Sequence, residues 1–440
     1  MTVGAPAFRN PAEVEANTPV TRDRAIDVIR IGSLVGVVVG HTLMATSTLR
    51  NDVFIWSNLL TAAPALQALT WIFQVMPLFF FAGMAASVGS WSPGTSWGNW
   101  LMHRCTRLYR PVFYYLAFWT AALAVLGWVL PRHVYEPVAG VSIQLLWFLG
   151  AYVLMLATVP LLARITTARC LVWSVVAVYL FIALVDVVRI AMAGCSALGY
   201  ANLVVWLIPG MLGVGYRRGL LSGRNALTVG LAMVAINLAL VWLGPYEPSL
   251  VGIENQTLTN MLPPSLLLAG HAIMLCALVI AAVPAIRRWA RRPRAWWLVA
   301  VGNSGAMTLY LWHIPALLGM HLVFDYVGLP RYNPGGPGFV ALSVIQLLIM
   351  VAAVSALFVL LRRLENRPLP LWDGGFVADP GCRSGAVGVL LCAAAGATLG
   401  SAGWGLKDQG IVCVAAMLVA LAAARLLAVQ RPANRANCGQ

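Results

Sequence analysis

Long apolar runs alternate with short polar breaks along nearly the whole chain. The runs lie near 26–48, 65–89, 110–130, 143–163, 170–192, 200–216, 225–243, 265–284, 296–322, 339–361, 384–402 and 410–430. Each is close to the roughly 20 apolar residues that a bilayer-spanning helix needs. Their hydrophobicity is continuous, not alternating with period two, so they read as helices and not as strands of a barrel. The last two are rich in Ala and Gly. Between the tenth and eleventh runs, 362–383 contains RPLPLWDGG and DPG, which reads as irregular chain. The pattern predicts an all-α polytopic membrane protein. It divides into a tail over 1–23, a ten-helix core over 24–361, a linker over 362–383, a two-helix hairpin over 384–430 and a final tail over 431–440. Neither an internal repeat nor a soluble domain is visible.

Composition sharpens this. Of 440 residues, 60% are hydrophobic and only 10% charged, and the mean hydropathy is +0.82. Soluble domains carry about a quarter charged residues, so a soluble enzyme, a secreted disulfide scaffold and a disordered chain are excluded. The formal charge of +15 would suggest nucleic acid in a soluble chain. Here the basic residues sit between the apolar runs and instead report topology. With the N-terminus inside, 24 of the 29 basic residues fall on the inner side and five outside. The acids divide equally, so the sides carry +17 and −2. The positive-inside rule therefore predicts both termini in the cytoplasm. No cleavable signal is evident, since the first apolar run carries Asp27, Arg30 and His41. The eight Cys show neither a CxxC pair nor a metal spacing, so neither a structural disulfide nor a metal site is expected. Asn255-Gln256-Thr257 fits a glycosylation acceptor on the outer side and carries little weight.

Ionisable groups inside a span cost about 2.5–3.5 kcal/mol or more each, which makes them the candidates for chemistry. The strongest group is RAIDVIRIGSLVGVVVGH, residues 24–41. Asp27 and Arg30 are three apart and share a helical face. Arg30 and His41 are eleven apart, which returns to nearly the same face about 16 Å deeper. Arg30 thus belongs at the cytosolic boundary and His41 near mid-membrane. Gly32, Gly36 and Gly40 form a ridge of small residues that permits close helix contact. A buried imidazole above an arginine suits a base or nucleophile acting on an anionic substrate; interface anchoring and packing would also accommodate these residues.

A second cluster is MHRCTRLYRP, where Arg104, Arg107 and Arg110 are each three apart on the approach to the third span. Such an edge suits bidentate phosphate contacts, although snorkelling interface arginines would look the same. A third is GNSGAMTLYLWHIP, where Asn303, Tyr310 and His313 follow seven-then-three spacing and share a face. A span starting near Trp296 places Tyr310 and His313 in its outer half, and Pro315 then kinks or breaks it. Asp186 and Arg189 read as a local ion pair. His271 reads as structural. Glu247, Glu254, His321 and Asp325 are outer groups placed to touch an acceptor. No P-loop is present, and GVGYRRG does not follow a strand, so it is no dinucleotide site.

Taken together, these clusters resemble the acyltransferase-3 family of bacterial integral-membrane O-acyltransferases. The resemblance rests on R-x2-D-x2-R-x10-H at Arg24, Asp27, Arg30 and His41, and on the Met-Pro-Leu-Phe-Phe-Phe-x-Gly stretch from Met76 to Gly83. It continues with R-x2-R leading into Pro at Arg104, Arg107 and Pro111, and N-S-x4-Y-L-x-H at Asn303, Ser304, Tyr310, Leu311 and His313. Trp147-Phe148-Leu149 looks like the family's fourth span. The match covers about residues 22–361 and leaves the linker and final hairpin outside it.

The resemblance implies an acyltransferase core in a bacterial inner (plasma) membrane. Its donor would be cytosolic acyl-CoA, most commonly acetyl-CoA, with no bound cofactor. Its acceptor would be a hydroxyl of a cell-envelope glycan or glycolipid. Carried over by motif position, His41 with Asp27 would be catalytic, Arg30, Arg104 and Arg107 would handle the donor's phosphates, and Asn303, Tyr310 and His313 would shape the site. Neutral His suits base catalysis near pH 7. Asp27 would orient Arg30, being too shallow to touch His41. No second base is evident beside His41, which favours direct attack of the acceptor over an acyl-histidine. A secondary transporter or lipid exporter is the alternative, since twelve spans with both ends inside fit that class. Such folds show related halves, and the first and seventh spans here are unlike.

Overall fold

The computed structural model describes residues 10–430, apart from 51–52, 93, 254–255, 257 and 378–380. The sequon residues Asn255 and Thr257, the acid Glu254, the basic residues Arg9, Arg431 and Arg435, and the final tail lie outside the described residues. The fold is that of an all-α polytopic membrane protein. Twelve helices among the described residues are long and apolar enough to cross a membrane: Arg24–Met44, Pro64–Ser90, Trp97–Val129, Arg132–Ala157, Ala168–Ala191, Gly194–Arg217, Gly223–Leu243, Leu266–Ala290, Ala306–Tyr326, Phe339–Asn366, Cys382–Ser401 and Asp408–Leu427. They are called spans one to twelve below.

Three boundaries depart from the sequence reading. The first span stops at Met44, and a two-stranded hairpin follows, β1 (Ala45–Arg50) antiparallel to β2 (Val53–Asn58), with Ala45 opposite Asn58. The third span begins at Trp97, where the Ser96 side chain accepts from the Asn99 amide. Arg104, Arg107 and Arg110 are therefore inside that helix and not ahead of it. The run read as 296–322 is two helices, Pro293–Asn303 and Ala306–Tyr326, broken at Ser304-Gly305. Asn303 thus ends one helix while Tyr310 and His313 belong to the next, which continues through Pro315 to Tyr326.

By packing, the chain forms two compact units. The first holds residues 1–90 and 161–362, the second 91–160 and 363–440. This grouping differs from a division at the 362–383 linker: spans three and four go with the C-terminal pair.

In the first unit, span two is interrupted at Gln74-Val75 before Met76-Pro77 restarts it. An interrupted helix leaves backbone groups unpaired, which a bilayer does not forgive unless protein supplies partners. Here His271 Nε2 donates to the Gln74 carbonyl at 3.0 Å, so the lone His of span eight is a structural partner for broken backbone. The ridge of span one faces this interruption. A Cβ on Gly36 would come within 3.3 Å of Val75, and one on Gly40 within 3.3 Å of Phe73.

Asp186 and Arg189 are paired at 2.8 Å and both buried. The Asp186 carboxylate also accepts from Asn202 Nδ2, Tyr246 hydroxyl and Leu266 amide, at 2.7, 2.9 and 2.7 Å. Removing it would strand a buried guanidinium. Asp186→Ala should cost about 3–5 kcal/mol, read as a lowered midpoint of thermal unfolding in detergent, with Asp186→Asn losing less.

In the second unit, the small residues of span eleven let backbones meet closely. A Cβ on Gly98 would lie 2.1 Å from the Ser384 carbonyl, and one on Gly150 2.5 Å from that of Ala395. Ser384 Oγ accepts from both Ser96 Oγ and the Gly98 amide. The linker is anchored as well: Trp372 Nε1 donates to the Thr106 carbonyl at 3.0 Å, and Asp373 is ion-paired with Arg110. Gly375–Phe376 pairs with Val429–Gln430 as a short antiparallel ladder.

Candidate active site

Two contacts tie span one to the segment 293–326. Near the start of span one, Arg30 Nε donates to Asn303 Oδ1 at 2.9 Å. Asn303 Nδ2 in turn donates to the carbonyls of Asp27 and Val299, both at 3.0 Å, which fixes its amide orientation. Eleven residues further along, His41 Nδ1 and His313 Nε2 are 2.9 Å apart, with rings stacked at 5.2 Å between centroids and 18° between planes. The steps from Arg30 to His41 and from Asn303 to His313 are nearly equal, so the two segments run side by side in the same direction.

The histidine pair has a direction. His313 Nδ1 lies 3.3 Å from the Leu309 carbonyl, and a carbonyl only accepts. The His313 proton is therefore on Nδ1, and with both rings neutral its Nε2 accepts from His41 Nδ1–H. His41 Nε2 is left with its lone pair and has no partner among the described residues. His313 is 0% exposed while His41 is only partly buried, so the base end of the relay is the accessible end. Tyr310 is buried, with its ring 6.1 Å from that of His313.

This corrects the sequence reading on two points. A second imidazole does stand beside His41; both of its nitrogens are engaged, one by Leu309 and one by His41, so it orients and does not compete as a base. Asp27 does not orient Arg30. Its carboxylate accepts from Arg22 Nε and Nη2 at 2.7 and 3.1 Å, and that hydrogen bond holds the Arg22 guanidinium above its ordinary range. The residue that orients Arg30 is Asn303. Arg30's two terminal nitrogens take no partner among the described residues, which leaves half of a planar fork to meet an anion.

The three arginines of span three have separate fates within the second unit. Arg104 lies over the Trp100 ring at 3.6 Å. Arg107 is exposed. Arg110 is committed to Asp373 and to the Glu365 carbonyl. The ion pair with Asp373 takes Arg110 out of the basic edge that the spacing suggested.

Sequence reasoning missed the clamp on the end of span one. Arg331, 1% exposed, donates through Nη1 to the Thr42 carbonyl at 3.0 Å and through Nη2 to that of Leu43, the two residues after His41. Burial pushes its guanidinium down to about 10, still protonated at neutral pH. The Arg331 carbonyl accepts from the Ser47 amide at 3.1 Å, so the clamp also seats β1. Thr and Val-Phe-Ile around Asn51-Asp52 were the available hairpin signal.

The family model of the acyltransferase domain matches residues 23–361, a stretch holding His41, His313, Arg30 and Asn303. No curated protein and no solved structure matches the chain. With the motif-bearing residues in one domain match across well over half of its length, the chain belongs to the acyltransferase-3 family and is a membrane acyltransferase.

Proposed function

We propose that the protein moves an acyl group, acetyl in the commonest case, from cytosolic acyl-CoA to a hydroxyl of an envelope glycan or glycolipid. The observation that carries this reading is the relay from Leu309 carbonyl through His313 to His41, which leaves His41 Nε2 as an accessible lone pair. Nε2 takes the acceptor's hydroxyl proton as its oxygen attacks the thioester carbonyl. The C–S bond then breaks, and the leaving thiolate recovers the proton from His41. Direct attack is favoured over an acyl-histidine, because His313 is held on the far side of the His41 ring and cannot activate an incoming hydroxyl at Nε2. Rapid-quench trapping of an acyl-enzyme that His41→Ala lacks would overturn that preference.

Arg30 receives part of the donor's phosphate charge; the excess of basic residues supports a cytosolic face for this end and cytosolic termini. The catalytic part is the ten-span stretch 24–361, with the linker and final pair as its support. The bilayer of a bacterial inner membrane would hold the acceptor lipid.

Arg30→Ala should raise the KM for acyl-CoA about tenfold while changing kcat little, and an unchanged donor KM would remove its assigned role. For the reaction itself, purified protein in vesicles is given labelled acetyl-CoA and an envelope extract. A labelled acceptor is the expected product. Accumulation of unmodified solute inside the vesicles, without label transfer, would favour an exporter instead.

A further inference from the structure

One cleft in the first unit lies apart from the histidine relay and the Arg30 fork. It has a volume of about 1080 Å³ and opens between the short helix Pro11–Ala16 and the chain that leads from the end of span eight into the helix Pro293–Asn303. That is room for a small-molecule ligand, whose sites run to roughly 300–1,000 Å³. Arg292 and Arg294 line it, together with Trp289 and Leu298, which are 42% and 60% exposed. Arg288 and Arg291 adjoin these residues in sequence, and all four arginines are exposed. Their side chains take neither a hydrogen bond nor an ion pair among the described residues. The acid on the wall, Glu15, is already committed: its two carboxylate oxygens accept from Arg24 Nη1 and Nη2 at 3.0 and 2.6 Å.

The lining defines the occupant. Unpaired guanidiniums beside a neutralised acid call for an anion, and their planar forks suit a phosphate. The exposed indole of Trp289 and side chain of Leu298 call for something apolar on the same ligand. The cleft lies at the end of span eight, whose last turn carries Arg287 and Arg288. Tryptophan and arginine at the end of a span belong to the headgroup level of a bilayer, where an anion with an apolar tail is an acidic phospholipid. Coenzyme A is also an anion, but the cleft faces away from Arg30. At about 100° per residue, Arg294 and Leu298 are each about 160° around the helix from Trp296, which is buried beneath Arg24 of span one at 4.8 Å. Leu298 is likewise about 140° around from Asn303, the partner of Arg30.

We propose that this cleft binds the headgroup of an acidic phospholipid, with the phosphate on Arg292 and Arg294 and the acyl chains leaving along Trp289 and Leu298. The site is separate from acyl transfer and stands or falls without it. For the test, dioleoyl phosphatidylglycerol is titrated into the full chain in a neutral detergent, and bound lipid is counted by native mass spectrometry. Saturable retention is expected at concentrations where dioleoyl phosphatidylcholine is not held. Replacing Arg292 and Arg294 together by alanine should weaken it about 10–30-fold. Arg164→Ala with Arg169→Ala removes the same charge from exposed positions outside the cleft and should change it little. Equal retention of the two lipids by the natural chain would overturn the proposal. So would equal losses in the two double variants, which would reduce the binding to overall charge. Coenzyme A is added as a competitor: displacement of the lipid by coenzyme A would give the cleft to the donor and overturn the proposal as well.

Discussion

Replacing His41 with alanine should abolish acyl transfer while the chain still inserts and keeps its helices. The expected loss is at least 10²–10⁴-fold in kcat, the range that a positioned general base supplies. The variant is well suited to a clean reading. His41 is only partly buried, and among the described residues its one side-chain hydrogen bond is to His313. Its removal disturbs neither the Arg331 clamp on the Thr42 and Leu43 carbonyls nor the Asn303 bridge. Acetyl-CoA affinity should persist, since Arg30 and Asn303 are untouched. Measuring donor binding and transfer on the same preparation separates these effects. Full activity in the variant would end the role given to His41.

His313 should come next. Its side chain touches His41 and not the hydroxyl to be activated, so it is a positioning residue. His313→Ala removes the acceptor for His41 Nδ1–H and frees the ring to turn or to adopt the other tautomer, with its lone pair at the wrong nitrogen. A loss of about 10–100-fold in kcat is expected, the scale at which groups that orient a functional imidazole act. Donor and acceptor KM should change little. His313→Gln offers a side-chain carbonyl that can take the same proton and should recover part of the rate, whereas His313→Leu, of similar bulk and no acceptor, should not. Equal losses in the glutamine and leucine variants would mean that His313 merely fills space.

How much of this was legible in the sequence follows from what kind of signal each feature leaves. The spans are visible because lipid demands long apolar runs. His41 and Arg30 stood out because an ionisable group in such a run has few inexpensive explanations. Their pairing with His313 and Asn303 was not readable, since contacts between segments more than 270 residues apart leave no local pattern. Asp27 was misassigned for a related reason. Spacing places it beside Arg30 on the helix, but Arg22, just before the helix, reaches it with better geometry. The break at Ser304-Gly305 was hidden by the hydrophobicity on both sides, which is the same for one bent path as for a straight one. The hairpin after Met44 was masked likewise: Thr and Ser at 46–48 are buried, so its polar side chains read as a span end while its backbone is enclosed by protein.

The second unit has a bearing on how the protein is made. Spans three and four leave the ribosome early, and the helices that complete their packing follow only after the whole of 161–362. Until span eleven emerges, Gly98 and Gly150 lack the Ser384 and Ala395 backbone on which they close. The first unit has most of its helices in place well before then. Assembly is thus staggered: one bundle has its own helices early, and the other waits for spans eleven and twelve. A chain cut after residue 361 would keep every contact of the histidine relay and still carry two permanently unfinished helices, marked for quality control by their bare glycine faces.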